Sequence, residues 1–277
     1  MALAAKIPYD HPYAGGFPGL GAQRLPTDSD CLTYLSAVAA ADGAGVEVGV
    51  ATAVDTFFSR IKADGVFPAL KACCILAGAR TLAGALVPVV GDAPTNVADN
   101  FAEGDYSRTA GLTGDGATTY LDSGRAGNAD PLNDKHIASY ITTGIIATNT
   151  RVLGSGQGAG GGNTEIYKDS SGNMFTRVHS TTGITISGAG STTGFVGSSR
   201  SSAGSFDFRI NSSNTSGSHA SNVHPAAPIA IFAGNNSGTV SQFTDATLAF
   251  YSIGTSVDLE ALDTAVSNLV TAIGNAL

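Results

Sequence analysis

The side chains that could do chemistry are few and scattered. There are four glutamates, Glu47, Glu103, Glu165 and Glu260, and no two share a strand-length segment. Hydrolysis of a glycosidic bond needs two carboxyls flanking it, about 5 Å apart in a retaining enzyme. A Glu-x-Asp-x-x-Glu run on one strand would supply such a pair, and the chain has none. The five histidines, His11, His136, His179, His219 and His224, are far apart, and no Gly-x-Ser-x-Gly elbow occurs. Gly156–Gly161 fits Gly-x-Gly-x-x-Gly, but Asn163-Thr-Glu-Ile-Tyr167 follows it as a strand. A phosphate cradle needs a helix N-terminus at that point, so the run reads as an edge loop.

Metal binding is weighed on Asp115, Asp122, Asp130 and Asp134, whose oxygens could serve calcium. Aspartates beside glycine and asparagine are more simply turn formers. Cys31, Cys73 and Cys74 form no even framework and no Cys-x-x-Cys pair, and read as small buried hydrophobes in a reducing compartment. No catalytic, cofactor-binding or metal residue is assigned. Asn211-Ser-Ser and Asn214-Thr-Ser fit glycosylation sequons, which matter only in a secretory pathway.

The elements that must position any site divide the chain in two. Residues 277 in number suffice for one large β domain plus a helical region. Hydrophobic residues are 43% and charged residues 13%, an ordered and weakly charged composition whose surface suits burial by partner subunits. The net charge is −8, and no Lys or Arg follows Arg209. Partners that attract clustered positive charge, nucleic acid and anionic membrane, are therefore not expected. The N-terminus lacks the basic start and apolar core of a signal peptide, and no uncharged run is long enough to span a bilayer.

Residues 1–26 interleave Pro8, Pro12, Pro18 and Pro26 with Tyr9, Tyr13 and Phe17 and read as an extended anchoring arm. Its own globular body or a neighbouring subunit could hold it. Residues 27–104 read as a helical unit and connection, with helices at about Asp28–Ala41 and Val46–Lys62 and an apolar stretch from Phe67 through Ile75. Residues 105–256 show short runs with turn signals every 8–15 residues, the mark of a β-sandwich or jelly roll. Among them, Ala110–Thr113 and Thr118–Leu121 flank the Gly114-Asp-Gly116 turn, and Asp169–Gly172 is a second hairpin turn. Residues 257–277 form a C-terminal helix. Leu259, Leu262, Val266, Leu269 and Ile273 repeat at 3 and 4, with Asp258 as N-cap. It could pack on its own sandwich or join an interchain threefold bundle.

Several segments resemble tailed-bacteriophage virion proteins in which a small helical unit precedes a concanavalin A-like (laminin-G-like) jelly roll. Phe57–Leu76 resembles the family's helix, glycine turn and second apolar helix. Leu112–Gly124 resembles its first hairpin, His136–Thr143 its long third strand, and Ala246–Leu262 its closing strand and C-terminal helix. The resemblance implies a mainly β, non-enzymatic virion structural protein assembled in the host cytoplasm. It would be a head decoration or cement protein, a spike or a tail-associated protein.

The arm would dock on capsid or tail proteins and the sandwich would project, as a homo-oligomer, most simply a trimer. The alternative is a carbohydrate-binding host-adhesion module. It would stack host surface glycan on aromatic rings, for which Tyr120, Tyr140 and Tyr167 are the candidates, each also readable as part of a sheet face. Glycoside hydrolase is the third and weakest reading.

Overall fold

The computed structural model describes residues 26–157 and 161–277. The arm expected over 1–26 thus lies outside the described residues, Pro26 excepted.

Helices α1 (Ser29–Asp42) and α2 (Val48–Ala63) open the fold. Asp28 caps α1 by accepting from Asp30 N and Cys31 N, and Gly43 ends it at φ 72°, a left-handed position that glycine fills without strain. Lys62 of α2 reaches back to both Asp28 carboxylate oxygens, at 2.7 and 2.8 Å. Buried Asp55 accepts from Thr27 N and Asp28 N, so α1 and α2 are tied at that end.

The chain then runs through β1 (Leu70–Ile75), the short α3 (Leu82–Ala85), β2 (Pro88–Val90), β3 (Thr95–Asn96), β4 (Tyr106–Ser107), β5 (Gly111–Thr113), β6 (Leu121–Ala126) and β7 (Lys135–Thr143). Next come β8 (Thr150–Gly156), β9 (Asn163–Lys168), β10 (Met174–Ser180), β11 (Ile184–Ile186), β12 (Gly194–Arg200), β13 (Ser205–Ile210) and β14 (Ser213–Ser218). β15 (Pro228–Ile231), β16 (Gly234–Asn236), β17 (Thr239–Ser241), β18 (Thr247–Gly254) and α4 (Leu259–Ala276) complete it.

The strands form two sheets, antiparallel except where β16 runs parallel to β8. One has the order β14-β13-β12-β7-β18-β1-β2, the other β11-β10-β9-β8-β15-β6-β3. This is the expected mainly β jelly-roll sandwich with a short helical unit before it and a helix after it. The core between the sheets holds Ile137, Ile141, Leu153, Ile166, Val196, Ile231, Tyr251 and Ile253, all fully buried. A second core lies outside the first sheet, where Phe57, Phe58, Ile61, Leu262, Val266 and Ile273 cover Cys73, Ala138, Phe195 and Phe250. Helix α4 therefore packs on α2 and on the sandwich of its own chain. Its Asp263 takes a 2.7 Å hydrogen bond from Arg209 Nε of β13. No helix among the described residues is long and apolar enough to cross a membrane.

Two expectations are corrected. The second apolar helix implied over the C-terminal half of Phe57–Leu76 is strand β1, paired with β18 and β2. Because β1 is buried on both faces, Cys73 toward the helices and Cys74 toward the other sheet, it loses the alternation that marks a strand. The hairpin expected across Gly114-Asp-Gly116 is an arch between the two sheets. β5 pairs with β18 in one sheet, β6 with β15 in the other. Asp115 holds the arch by accepting from the backbone N–H groups of Ala117, Thr118 and Thr119 at 2.8–2.9 Å. Partial burial works against its charge, but these bonds and that of the Thr118 hydroxyl prevail and hold the carboxyl far below the usual range.

Candidate functional site

The residues weighed for chemistry are not brought together. Glu47 pairs with Arg80 and Arg108, and the Glu103 carboxylate accepts from Leu82 N at 3.0 and 3.1 Å. Glu165 lies between two arginines, and Glu260 is exposed in the first turn of α4. Asp122 accepts from Gly124 N of its own turn, and Asp134 from Ser256 N. Asp130, buried, is shared by Lys135 and Arg125, which outweigh the desolvation that would raise its pKa. Among the described residues no three His, Cys, Asp or Glu side chains are grouped to hold a metal ion.

The histidines are fasteners. His136 on β7 bonds Thr255 O and Ser252 Oγ; burial drives its pKa to about 4. His179 contacts Leu132 O and Gly127 O at 2.9 and 3.0 Å. His224, whose ring centroid is 5.2 Å from that of His179, contacts Pro225 O and Ser155 O. Burial carries His224 to about 4 against the pull of its two carbonyl partners. His219 bonds the Thr182 hydroxyl, and His11 lies outside the described residues. The Gly156–Gly161 loop leaves a strand on either side, β8 and β9; residues 158–160 lie outside the described ones.

What the structure does assemble lies on the outer face of the second sheet, which no helix among the described residues covers. Here β10 alternates buried Met174, Thr176 and Val178 with part-exposed Phe175 and Arg177, the period-2 pattern of a sheet with one wet face. Register sets Tyr167 of β9 beside Phe175 and Arg151 of β8, and Arg177 beside Glu165. The Tyr167 and Phe175 rings lie 4.8 Å apart, centroid to centroid. Arg151 lies 5.3 Å from the Tyr167 ring and Arg177 5.3 Å from the Phe175 ring. Both guanidiniums converge on Glu165: Arg151 donates from Nε to one oxygen, and Arg177 from Nε at 2.7 Å to the other.

Five side chains on three strands thus make a closed ring of stacked and ion-paired groups. Glycines beside it leave room for Arg151. A Cβ at Gly234 would sit 2.2 Å from Arg151 Cδ, so only glycine lets that side chain lie down across the sheet. Glu165 is nearly buried, its side chain 3% exposed, while Arg177 keeps 20%. Arg151 Nη1 is buried and has no hydrogen-bond partner.

Of the three tyrosines expected for sugar stacking, only Tyr167 joins this platform. Tyr120 lies against Phe243, and Tyr140 packs on the helix-covered side. Sequence reading missed Phe175, Arg151 and Arg177, although alternation about the turn carries part of the signal. Lys168 pairs with Met174, so the loop runs from Asp169 to Asn173, one residue longer than the Asp169–Gly172 turn, and Tyr167 and Phe175 lie two residues to either side of it.

No family model and no curated protein matches the sequence. Among solved structures, the chain is similar to a Ruminococcus gnavus IT-sialidase CBM40 bound to alpha2,3 sialyllactose, at 14% identity and TM-score 0.41, covering 56% of this chain and 96% of that one. It is similar to the botulinum neurotoxin serotype D binding domain, at 11% identity and TM-score 0.48, covering 72% of this chain and 51% of that one. It is also similar to domains LG4-5 of the mouse laminin alpha1 chain, at 15% identity and TM-score 0.36, covering 53% and 41%. With the Streptococcus pneumoniae NanB sialidase the match spans 24% of that chain.

Proposed function

We propose that this protein is a non-enzymatic recognition module whose uncovered sheet face binds carbohydrate. The observation that carries the reading is the five-residue platform of Tyr167, Phe175, Arg151, Arg177 and Glu165. Sugar rings present flat C–H faces that lie well on aromatic surfaces, and a rigid tile costs little entropy to order on binding. Exposed Thr185, the register partner of Phe175, adds a hydroxyl at the margin. The carboxylates of the sandwich are engaged in ion pairs, turns and caps, which leaves this face to bind rather than cleave.

The setting is a tailed-bacteriophage virion, in which the arm and helical side attach the chain to capsid or tail and the platform faces the host. Support for the setting is the order of segments. His136–Thr143 and Ala246–Leu262 occupy the long strand β7 and the β18–α4 ending where the resemblance puts them. A homotrimer is the assembly that goes with it.

A glycan array probed with the purified full chain tests the binding reading, with Tyr167→Ala as control. Retained spots that vanish in the variant support it; a blank array removes it. Immunogold labelling of intact particles tests the setting, and bare particles would overturn it.

A further inference from the structure

The geometry points to a carboxylate-bearing sugar, a uronic or nonulosonic acid residue, as the ligand of the open platform. The inference rests on the carbohydrate reading above and narrows it. Two guanidiniums share one carboxylate there, so one positive charge is unmatched. Arg151 spends its Nε–H on Glu165 and leaves Nη1 without a partner. Arg177 spends donors on Glu165 and on Thr181 O, and its side chain remains part-exposed. A carboxylate accepts from guanidinium N–H groups in a planar, two-pronged geometry that a neutral hydroxyl does not reproduce.

The neighbouring charges do not cancel this excess. Asp169, at the β9–β10 turn, keeps its negative charge, its carboxyl held below the usual range by bonds from Asn173 N, Asn173 Nδ2 and Ser171 N at 2.8–2.9 Å, and the adjacent Lys168 offsets that charge. Lys168, on the inward side of β9, is bound to Ile145 O, Ile146 O and Ser191 Oγ. The protein as a whole carries −8, so an acidic glycan is repelled by most of the surface and admitted where the sign reverses. Stacking on Tyr167 and Phe175 then places the sugar ring, and Arg177, the more exposed of the two arginines, takes the carboxylate.

The test is binding of the full chain to printed uronic- and nonulosonic-acid glycans set beside their methyl esters, which remove the charge and keep the ring. The acids should bind about tenfold tighter than the esters, the scale of one charge-assisted hydrogen-bond pair. The preference should shrink as salt is raised. Arg177→Gln should bring acid binding down to the ester level, while Arg177→Lys, which keeps charge without the fork, should fall between. Unchanged melting temperatures show that both variants fold; if Arg177→Gln does not, the Lys variant and the acid-to-ester ratio of the unaltered chain decide. Equal binding of acids and esters overturns this inference and leaves the carbohydrate reading standing. An acid preference untouched by either Arg177 variant overturns the site, and binding of neither class overturns the carbohydrate reading itself.

Discussion

The two outer faces of the sandwich have met the same problem in opposite ways. A sheet in a domain of this size must shield its outward residues or make them compatible with water. The β12-β7-β18-β1 face is apolar and lies under α2 and α4; the β10-β9-β8 face is tiled by side chains that stack on and ion-pair with one another. Strand β18 records the first solution, with all eight of its residues buried. Strand β10 records the second, with burial alternating along its first five residues. A covered face is committed to the fold, whereas a tiled face is rigid and remains available. That asymmetry supports the recognition role proposed for the second sheet.

The comparison breaks most sharply at Phe57. Its ring packs edge-on against Phe250 of β18, 6.0 Å between centroids, in a fully buried layer. Phe57→Ala should cost about 4 kcal/mol, because the removed ring leaves a cavity between helix and sheet. Chemical denaturation measures this, and a loss below about 1 kcal/mol would mean that the helices are only loosely applied. Glycan binding of the surviving folded fraction should be unchanged.

Next is Glu165, the single carboxylate under the tile. Glu165→Gln leaves two guanidiniums facing each other with no counter-charge, for about 3 kcal/mol of destabilisation. If the tile is what keeps this sheet ordered without a helical cover, amide exchange in β8, β9 and β10 should speed up more than in β18. Uniform acceleration would argue that the tile is a passenger.

How much of this was legible in the chain depends on what covers each segment. Strands with one wet face or a polar turn, such as β9 and β10 about Asp169–Gly172, announce themselves by alternation. The N-cap Asp258 was visible because a short acidic side chain before an apolar period has one simple use, whereas Asp28 was read as the first residue of α1 and is in fact its cap. β1 was hidden because cover on both faces erases its period. β14 was hidden for the opposite reason: Ser213–Ser218 is a polar, mostly exposed edge strand held by pairing with β13, and no apolar residue marks it. The arch at Gly114-Asp-Gly116 looked like a hairpin because turn chemistry is the same whether the chain returns to one sheet or crosses to another. For the site, Tyr167 was in view as an isolated aromatic. Its partners were not, since Arg151, Glu165 and Phe175 converge only through register across three strands.

Acid sharpens the comparison, because buried histidines fasten both sheets: His136 of β7 in the first, and in the second His179 of β10 with its neighbour His224 from the loop before β15. His136 lies in the helix-covered sheet, and His224 bonds the carbonyl of Ser155 in the tiled one. Burial holds both near about 4, below the ordinary value of 6.5, so the unfolded chain takes up these protons first as pH falls. Their contribution is therefore complete above about pH 6.5 and is lost as pH drops toward 4. His224→Gln should flatten the slope of stability over that window, removing about 2–3 kcal/mol of pH dependence. His136→Gln should do the same from the other side. If only one of the two flattens it, acid unfolding begins in that histidine's sheet.

The smallest stability effect should come with the largest loss of binding. Tyr167→Ala removes one member of a part-exposed aromatic pair, for about 1 kcal/mol. On the covered face the same truncation costs several times more, since no water can reach the gap. Tyr167 nevertheless anchors both the stacking surface and the position of Arg151, which lies against its ring. A near-native melting temperature with abolished glycan binding is the expected result, and it separates a surface kept for recognition from one kept for folding. If the variant lost as much stability as Phe57→Ala, the tile would be a second structural cover, equivalent to the helices on the other side. The contrast between the two faces would then be one of chemistry alone, with no difference in role.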